Sequence, residues 1–264
     1  MKRFLRSTYR AAVQSGFDPR AMARSLAGLP GYVSDLAKLR AQRSSARRAF
    51  PFASLYPCLG EASSESGVAS GHYFHQDLLV ARRINLNNPE IHVDVGSRID
   101  GFVAHVAAFR PIEVFDIRPQ TNDIPNMKFV QVDLMSPLGP DLVDHCDSLS
   151  CLHALEHFGL GRYGDPVDYD GYLHGLENLG HILKAGGKLY LSVPIGPQRI
   201  EFNAHRVFSV AYLLECLAET YRVDSFSFVD DRGALHEDVP LAASDVAADF
   251  GCELGCGIFE LTKK

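Results

Sequence analysis

The chain has 264 residues, of which 46% are hydrophobic, so it is long enough to bury the core of one α/β domain with an appended arm. Six scattered cysteines form no C-x-x-C pair, which argues against a structural zinc site. No run has the apolar length of a membrane span, and the first residues lack the apolar core of a signal peptide. We therefore expect a cytoplasmic protein.

Charge is unevenly distributed along the chain, whose formal net charge is −6 at pH 7. Residues 1–48 hold eleven Lys or Arg against two acids, a net of +9, so the remaining residues carry −15. A basic arm on an acidic body indicates a separate partner for the arm. Nucleic acid is not predicted as that partner, because the acidic body would repel phosphate.

The arm, residues 1–48, is predicted to be helical in pieces. Apolar side chains recur at helical spacing over residues 4–13, Asp18 and Pro19 are typical of a helix start, and residues 32–39 form a third segment. A basic amphipathic helix can lie on an anionic membrane surface, here the inner face of the cell membrane. The same apolar stripe can instead pack on the body or on a second copy in a homo-oligomer, and the sequence leaves both alternatives open.

The body follows an irregular linker over residues 50–71 and an apolar helical run before the first strand. From there strands and helices alternate as in a doubly wound, mostly parallel sheet. Seven strands are predicted at residues 91–95, 112–115, 128–132, 146–151, 188–193, 223–229 and 257–261. Helices are predicted at residues 101–109, 170–183 and 209–221, the second closed by residues 185–187. Because no helix is predicted between the last two strands, we expect a hairpin and an antiparallel last strand.

Acids and glycines follow the first two predicted strands. Asp94 and Gly96 end the first strand, Gly101 opens the next helix, and Asp116 ends the second strand 22 residues after Asp94. This arrangement is typical of a site for an adenosine-containing ligand, with Asp116 spaced to accept hydrogen bonds from ribose hydroxyls. The glycine motif is incomplete, because Arg98 stands where a second glycine is usual.

This order of strands and acids, continued through residues 150–157 and 183–194, resembles the class I S-adenosylmethionine-dependent methyltransferases. More narrowly, residues 71–77, 95–101 and 202–206 are similar to the family known as domain of unknown function 268, found among bacterial cell-surface polysaccharide genes. The resemblance implies a methyltransferase-like domain that uses S-adenosyl-L-methionine and whose last two strands form an antiparallel pair. We assign this domain to the body, from residue 49 to residue 264.

The resemblance also implies roles for individual residues. Asp94, Gly96 and Gly101 would line the methionine part of the cofactor, Asp116 its ribose, and Asp133 with Leu134 its adenine. The whole predicted cofactor site comprises Asp94, Gly96, Ser97, Arg98, Gly101, Asp116, Ile117, Asp133, Leu134, His75 and Gln76. Two alternatives stay open: Asp133 can serve only as a turn or cap residue, and Arg98 can bind a carboxylate of the cofactor or of an acceptor.

Methyl transfer to a hydroxyl needs alignment of the reactants and a base that removes the proton. His153 and His157 follow the fourth strand and His205 follows the fifth, and we rank His157 and His205 above His153. Glu156 is the acidic alternative, or it fixes a histidine tautomer. These residues also resemble the metal site of small-RNA 3′-terminal methyltransferases. Since His153 replaces an acid of that site, a hard Mg²⁺ ion would lose an oxygen ligand, and we predict no metal.

The sequence therefore predicts a methyltransferase that O-methylates a sugar or sugar-linked acceptor in cell-surface polysaccharide biosynthesis. One alternative is a catalytically inactive scaffold that still binds S-adenosylmethionine, which the unusual Arg98 favours. The other is a nucleotide-cofactor sugar oxidoreductase or epimerase with the same sheet edge. The incomplete glycine motif and the terminal pair of strands argue against that second alternative.

Overall fold

The computed structural model describes residues 8–9, 12–48, 50–61 and 66–264. The chain divides into two compact units, the first ending at Val68 and the second beginning at Ala69. The sequence predicted the division after residue 48, so the predicted start of the body lies in the first unit. Within that unit the chain folds back on itself, and Gly28 lies so close to Gly60 that a β-carbon built on Gly28 would be 2.9 Å from the Gly60 backbone nitrogen.

The first unit is built on one long helix, α1 (Pro19–Ala41). Asp18 caps it, because its carboxylate accepts hydrogen bonds from the backbone N–H groups of Arg20 at 2.9 Å and Ala21 at 3.2 Å. The second and third predicted segments are thus a single helix, and Pro30 in its interior does not end it. Most of the first predicted segment, including Phe4 and Leu5, lies outside the described residues.

The second unit is a layered α/β fold, with elements labelled in chain order. Its strands are β1 (His92–Val95), β2 (Ile112–Asp116), β3 (Met127–Gln131), β4 (Cys146–Leu152), β5 (Leu183–Ile195), β6 (Arg199–Glu201), β7 (His205–Val207), β8 (Tyr221–Val229), β9 (Leu235–His236) and β10 (Gly255–Lys263). Its helices are α2 (His72–Asn87), α3 (Ala104–Ala107), α4 (Gly171–Ile182), α5 (Val210–Leu217) and α6 (Ala243–Ala247).

Eight of these strands form one sheet in the order β3-β2-β1-β4-β5-β10-β8-β9. The first five strands of that order run parallel, and β10 lies between β5 and β8, antiparallel to both. The predicted doubly wound sheet with an antiparallel last strand is confirmed. The predicted number of seven is corrected to eight, because Leu235–His236 adds the short edge strand β9. The short helix α6 also lies between β8 and β10, where none was predicted.

Each face of the sheet is covered by helices. Leu179 and Ile182 of α4 and Leu213 of α5 pack into one buried apolar cluster, whereas Val80 and Ile84 of α2 pack into a second. Neighbouring residues of a strand alternate between the two clusters, as the period of two in a strand requires. The helices thus bury both faces of the sheet and leave the ends of its strands free for a site.

Three predicted helices differ from the structure, and one of them, predicted at residues 209–221, ends at Leu217 because Tyr221 already belongs to β8. Residues 185–187 do not close α4, which ends at Ile182; they lie inside β5, where Gly186 has φ +76° and the register with β4 shifts. The helix predicted at residues 101–109 is a π-turn (Ile99–Val103) followed by α3, because Gly101 interrupts it with φ −123° and ψ −113°. None of the helices in the described residues combines the length and apolar character needed to cross a bilayer.

Candidate active site

A cleft of about 570 Å³, counting its open mouth, lies at the carboxyl ends of β1 to β4. Its lining includes seven residues predicted from the sequence: Gly96, Asp116, Ile117, Asp133, Leu134, His153 and His157. These follow four different strands of the sheet. The carboxyl edge of an open α/β sheet is where such folds bind ligands, so the topology alone places the cleft at the expected edge.

Gly96 forms the turn after β1 at the wall of the cleft. Its φ is +72°, and a β-carbon there would come within 2.9 Å of the β-carbon of Ala154. Its N–H donates to the Phe115 carbonyl at 2.9 Å, which ties the turn to β2. Only glycine suits both the conformation and the space, and its bare backbone lets a ligand approach closely.

Asp94 lies below this turn and is fully buried. It accepts hydrogen bonds from the Ser150 hydroxyl at 2.6 Å, the Ser97 hydroxyl at 2.8 Å and the Ser97 N–H at 3.1 Å. Burial raises the pKa of Asp94 to about 7, against these hydrogen bonds, which lower it. Both carboxylate oxygens therefore hold the turn in place. The assignment of Asp94 to the methionine part of a cofactor stays a prediction.

Asp116, predicted to hold the ribose, is paired with a basic neighbour. Its carboxylate accepts three hydrogen bonds from Arg118: from the backbone N–H at 2.8 Å, from Nε at 3.0 Å and from Nη2 at 2.6 Å. The Arg118 guanidinium also lies over the Tyr163 ring, 4.5 Å from its centroid. A ligand hydroxyl at Asp116 therefore has to compete with Arg118.

Asp133, predicted to border the adenine, forms a local turn. Its carboxylate accepts from the Met135 N–H and from the Ser136 hydroxyl, both at 2.9 Å. The turn role considered from the sequence is present, and the same residue lines the cleft beside Leu134. The two roles are compatible, because a carboxylate has lone pairs for more than two donors.

The remaining predicted cofactor residues lie outside the cleft lining. Arg98 points to solvent with 68% of its side chain exposed and pairs with Asp100 at 2.8 Å. Gln76 is buried on α2, where its amide oxygen accepts from Ser192 at 2.7 Å. His75 packs edge-on against a neighbouring ring of α2. Ser97 and Gly101 belong to the turn and π-turn after β1.

His153 follows β4 with φ +50° and pairs with Glu156, whose carboxylate lies 2.7 Å from its Nδ1. Burial lowers the pKa of His153, but Cys256 and Glu156 outweigh it and raise that pKa well above its usual value. Burial likewise raises the pKa of Glu156, but the His153 charge outweighs it and lowers that pKa. The pair is therefore an imidazolium and a carboxylate at neutral pH, and a protonated His153 is no base.

His157 has the opposite character. Its Nδ1 lies 2.7 Å from the Ala204 carbonyl, to which it donates as the neutral tautomer, and its Nε2 lies 3.7 Å from Glu156. Burial lowers the pKa of His157. A neutral imidazole that lines the cleft and whose Nε2 carries no proton is what a general base requires.

His205 lies at the start of β7, in a small hairpin with β6, rather than in the predicted loop. Burial lowers its pKa, and its Nε2 is 3.8 Å from Glu201. That buried Nε2 has no hydrogen-bond partner among the described residues. His205 lies outside the cleft lining, so the structure brings His157 to the cleft but not His205.

Sequence reasoning missed the loop that closes one side of the cleft. Asp165 accepts backbone N–H groups from Gly159, Gly161 and Tyr163, each at 3.0 Å. This network holds the Tyr163 ring at the cleft, edge-on to His157. Closely spaced glycines followed by Asp165-Pro166 are a turn signal that the sequence does contain.

The family model described as "Caenorhabditis protein of unknown function, DUF268" matches residues 127–234. The predicted resemblance to this family is confirmed. The matched stretch includes three of the predicted catalytic residues, His153, Glu156 and His157, and the hairpin that carries His205. Among curated proteins, none matches the chain in sequence.

Solved structures are similar to the chain in fold. The 1,6-didemethyltoxoflavin-N1-methyltransferase of Burkholderia thailandensis, with bound 1,6-didemethyltoxoflavin and S-adenosylhomocysteine, is 15% identical and covers 89% of each chain with a TM-score of 0.50. The N-methyltransferase NodS from Bradyrhizobium japonicum WM9, in complex with S-adenosylhomocysteine, is 12% identical over 73% of this chain and 88% of that chain, with a TM-score of 0.47. The [4+2]-cyclase SpnF is 17% identical over 72% and 80%, with a TM-score of 0.49. The likeness to the first of these, at a TM-score of 0.50, shows that this chain shares the fold of that methyltransferase.

Proposed function

We propose that the second unit binds S-adenosyl-L-methionine in the cleft and transfers its methyl group to a hydroxyl of an acceptor. The observation that carries this proposal is the cleft itself, which lies at the carboxyl edge of the sheet and is bounded by Gly96, Asp116 and Leu134 after three successive strands. The class I fold supports the proposal. A fold alone hosts many reactions, so the argument rests on these residues.

The residues present fit this cofactor. Gly96 offers bare backbone, Asp116 offers a carboxylate for ribose hydroxyls, and Leu134 with Met135 offers an apolar wall for a purine. When bound, the cofactor supplies a methyl group on a positively charged sulfur. The protein then has only to align the acceptor and remove its proton.

His157 is the base in this proposal. It lines the cleft, is neutral because burial lowers its pKa, and donates its Nδ1 proton to the Ala204 carbonyl, which leaves Nε2 to accept a proton. A sugar hydroxyl is a weak acid and needs such a base, whereas Glu156 is a weaker base, because the effect of its pair with His153 outweighs burial and lowers its pKa. The choice of a sugar acceptor in polysaccharide assembly rests on the resemblance to the matched family.

One observation favours the inactive scaffold as a second candidate. Arg118 occupies the carboxylate of Asp116, which a bound ribose would need. If Arg118 does not move, the cleft takes a smaller ligand and the protein does not transfer methyl groups. Arg98, which suggests this alternative from the sequence, pairs with Asp100 outside the cleft lining and does not support it.

We also propose that the arm attaches the protein to the inner face of an anionic membrane. Met22, Leu26, Leu29 and Val33 lie four, three and four residues apart on α1, and each is at least 44% exposed. This spacing makes one apolar stripe, and residues 1–48 supply the net charge of +9. An apolar stripe with surrounding cations fits an anionic lipid surface.

Calorimetric titration of the full chain with S-adenosylhomocysteine tests the first proposal. We expect wild type to bind, and Asp116→Ala to weaken binding by about 1.5 to 3 kcal/mol through lost hydrogen bonds to ribose. Asp123→Ala, an exposed acid outside the cleft lining, is the matched control and should bind as wild type. No binding to wild type, or binding of a nicotinamide cofactor instead, would reject the assignment of the cleft to S-adenosylmethionine.

A further inference from the structure

Three potential metal ligands meet beside the cleft. His72 begins α2, His153 follows β4, and Cys256 lies on β10; one ligand atom from each lies within 4.8 Å of the other two. Among the His, Cys, Asp and Glu side chains of the described residues, these three lie close enough together to share one ion. Cys256 is fully buried, so the group is enclosed on that side.

One nitrogen of His153 is held by the protein and the other is left over. Glu156 lies 2.7 Å from His153 Nδ1. The His72 ring stacks on the His153 ring, with centroids 5.2 Å apart and planes 4° from parallel. Histidines that bind metals usually donate their other N–H to a carboxylate or a backbone carbonyl in this way, which fixes the tautomer and the ring orientation.

The free atoms of the group have no good partner in the protein. His153 Nε2 is buried and makes no hydrogen bond to any described residue. The Cys256 sulfur has a long contact of 3.7 Å to the Gln76 amide oxygen, which Ser192 already occupies at 2.7 Å. A buried nitrogen aimed at a weakly bonded thiol is unfavourable unless something else binds both atoms.

We propose that His72, His153 and Cys256 bind a zinc ion. Two imidazole nitrogens and one thiolate are the ligand types that zinc prefers, and Mg²⁺ is disfavoured because the group offers no oxygen. Cys256 binds as the thiolate and His153 as the neutral imidazole, so the binding of zinc releases one proton from each. Three protein ligands leave a fourth tetrahedral position open, which is the arrangement of catalytic rather than structural zinc. The prediction from the sequence that no metal binds is replaced by this proposal.

The site is independent of the methyl-transfer proposal but adjoins the same cleft. His153 belongs to both the trio and the cleft lining, so an ion held here lies beside the space where an acceptor would bind. The site does not use the residues proposed for the cofactor. A failure to bind S-adenosylhomocysteine would therefore leave the zinc proposal standing, and the reverse also holds.

Cobalt substitution of the full chain, purified without a histidine tag, tests the proposal. We expect about one Co²⁺ per chain, with visible bands typical of tetrahedral coordination and a near-ultraviolet band from thiolate-to-cobalt charge transfer. Zn²⁺ should displace the cobalt and abolish both sets of bands. Metal analysis of the purified protein should give about one zinc per chain. If wild type binds no cobalt and carries no zinc, the proposal is wrong.

Variants assign the ligands. Cys256→Ser should remove the charge-transfer band, and His72→Ala, at the partly exposed start of α2, should weaken metal binding while the fold is retained. Glu156→Gln should weaken binding about 10- to 100-fold, because it orients His153 without touching the ion. The matched controls are Cys252→Ser, a buried cysteine outside the trio, and His75→Ala, one turn along α2 from His72. Unchanged cobalt spectra in both Cys256→Ser and His72→Ala would overturn the assignment.

Discussion

His153 and His157 stand four residues apart, yet their surroundings give them different charges at neutral pH. Glu156, at 2.7 Å, helps to raise the pKa of His153 against the effect of burial, whereas burial lowers the pKa of His157. One short turn after β4 therefore holds a cation and a neutral imidazole side by side. In this arrangement the charged His153 is suited to positioning and the neutral His157 to proton removal.

His157→Ala should lower kcat about 10²- to 10⁴-fold with little change in S-adenosylhomocysteine affinity, because a base acts only in the chemical step. His174→Ala, an exposed histidine of α4, is the control. A base acts when deprotonated, and burial lowers the pKa of His157 below its usual 6.5, so kcat should rise with pH with a midpoint below pH 6.5. The measurement is methyl transfer to a panel of sugar acceptors against pH.

Two results would contradict the role of His157. A rate that still rises well above pH 7 would point to His153, whose pKa is raised. Near wild-type turnover in each of His153→Ala, His157→Ala and His205→Ala would leave none of the three histidines as the base. The mechanism would then depend on positioning alone.

Among the elements, α1 carries the proposed membrane surface. In the full chain, replacing Leu26 and Val33 of the stripe by Asp should weaken binding to vesicles of phosphatidylcholine and phosphatidylserine more than about tenfold, because each buried apolar side chain contributes about 1.5 to 3 kcal/mol. Ala27→Asp with Ser34→Asp adds the same charge on a neighbouring face of α1 and should have a smaller effect. Co-sedimentation at low and high salt is the measurement. If wild type ignores these vesicles at low salt, the stripe serves packing or assembly instead.

Residues 185–187 of β5, where the register with β4 shifts, depend on the conformation of one glycine. Gly186 has φ +76° and open space around its α-carbon, so Gly186→Ala should lower the free energy of unfolding by about 1 to 2 kcal/mol through backbone strain alone. Gly139 also faces open space but has φ −64°, so Gly139→Ala should be neutral or slightly stabilising. Urea unfolding of the two variants makes the comparison. Equal effects would show that the backbone of β5 relaxes around a side chain.

The elements also show what the sequence could predict. The strands of the main sheet are long apolar runs followed by turn signals, so their existence and order were predictable, whereas the two residues of β9 are too few to form a pattern. The sequence predicts a helix end at Gly186, because glycine after an apolar helical run is usually a cap, and no local signal distinguishes a cap from extra residues within a strand. Asp116 and Arg118 are only two residues apart, so their ion pair is predictable from the sequence.

At the scale of the whole molecule, some parts of the candidate site are predictable from the sequence and others are not. The acids and glycines that follow strands are predictable because their spacing is local. The group of His72, His153 and Cys256 is not, because these residues belong to α2, to the turn after β4 and to β10, and only the strand order brings them together. The distribution of charge is also a feature of the whole molecule, because the basic excess lies within the first unit and the acidic excess within the second.

The position of β10 has a consequence for how the chain folds during synthesis. β10 fills the gap between β5 and β8, although it is made after both. Until Gly255–Lys263 leaves the ribosome, β5 and β8 each expose an unpaired edge, and the parallel strands and the β8–β9 hairpin remain separate sheets. Unpaired edges of this kind pair readily with other chains, so the nascent protein depends on rapid completion or on a chaperone. Since Cys256 lies on the same strand, the proposed metal site also stays incomplete until this last strand joins the sheet.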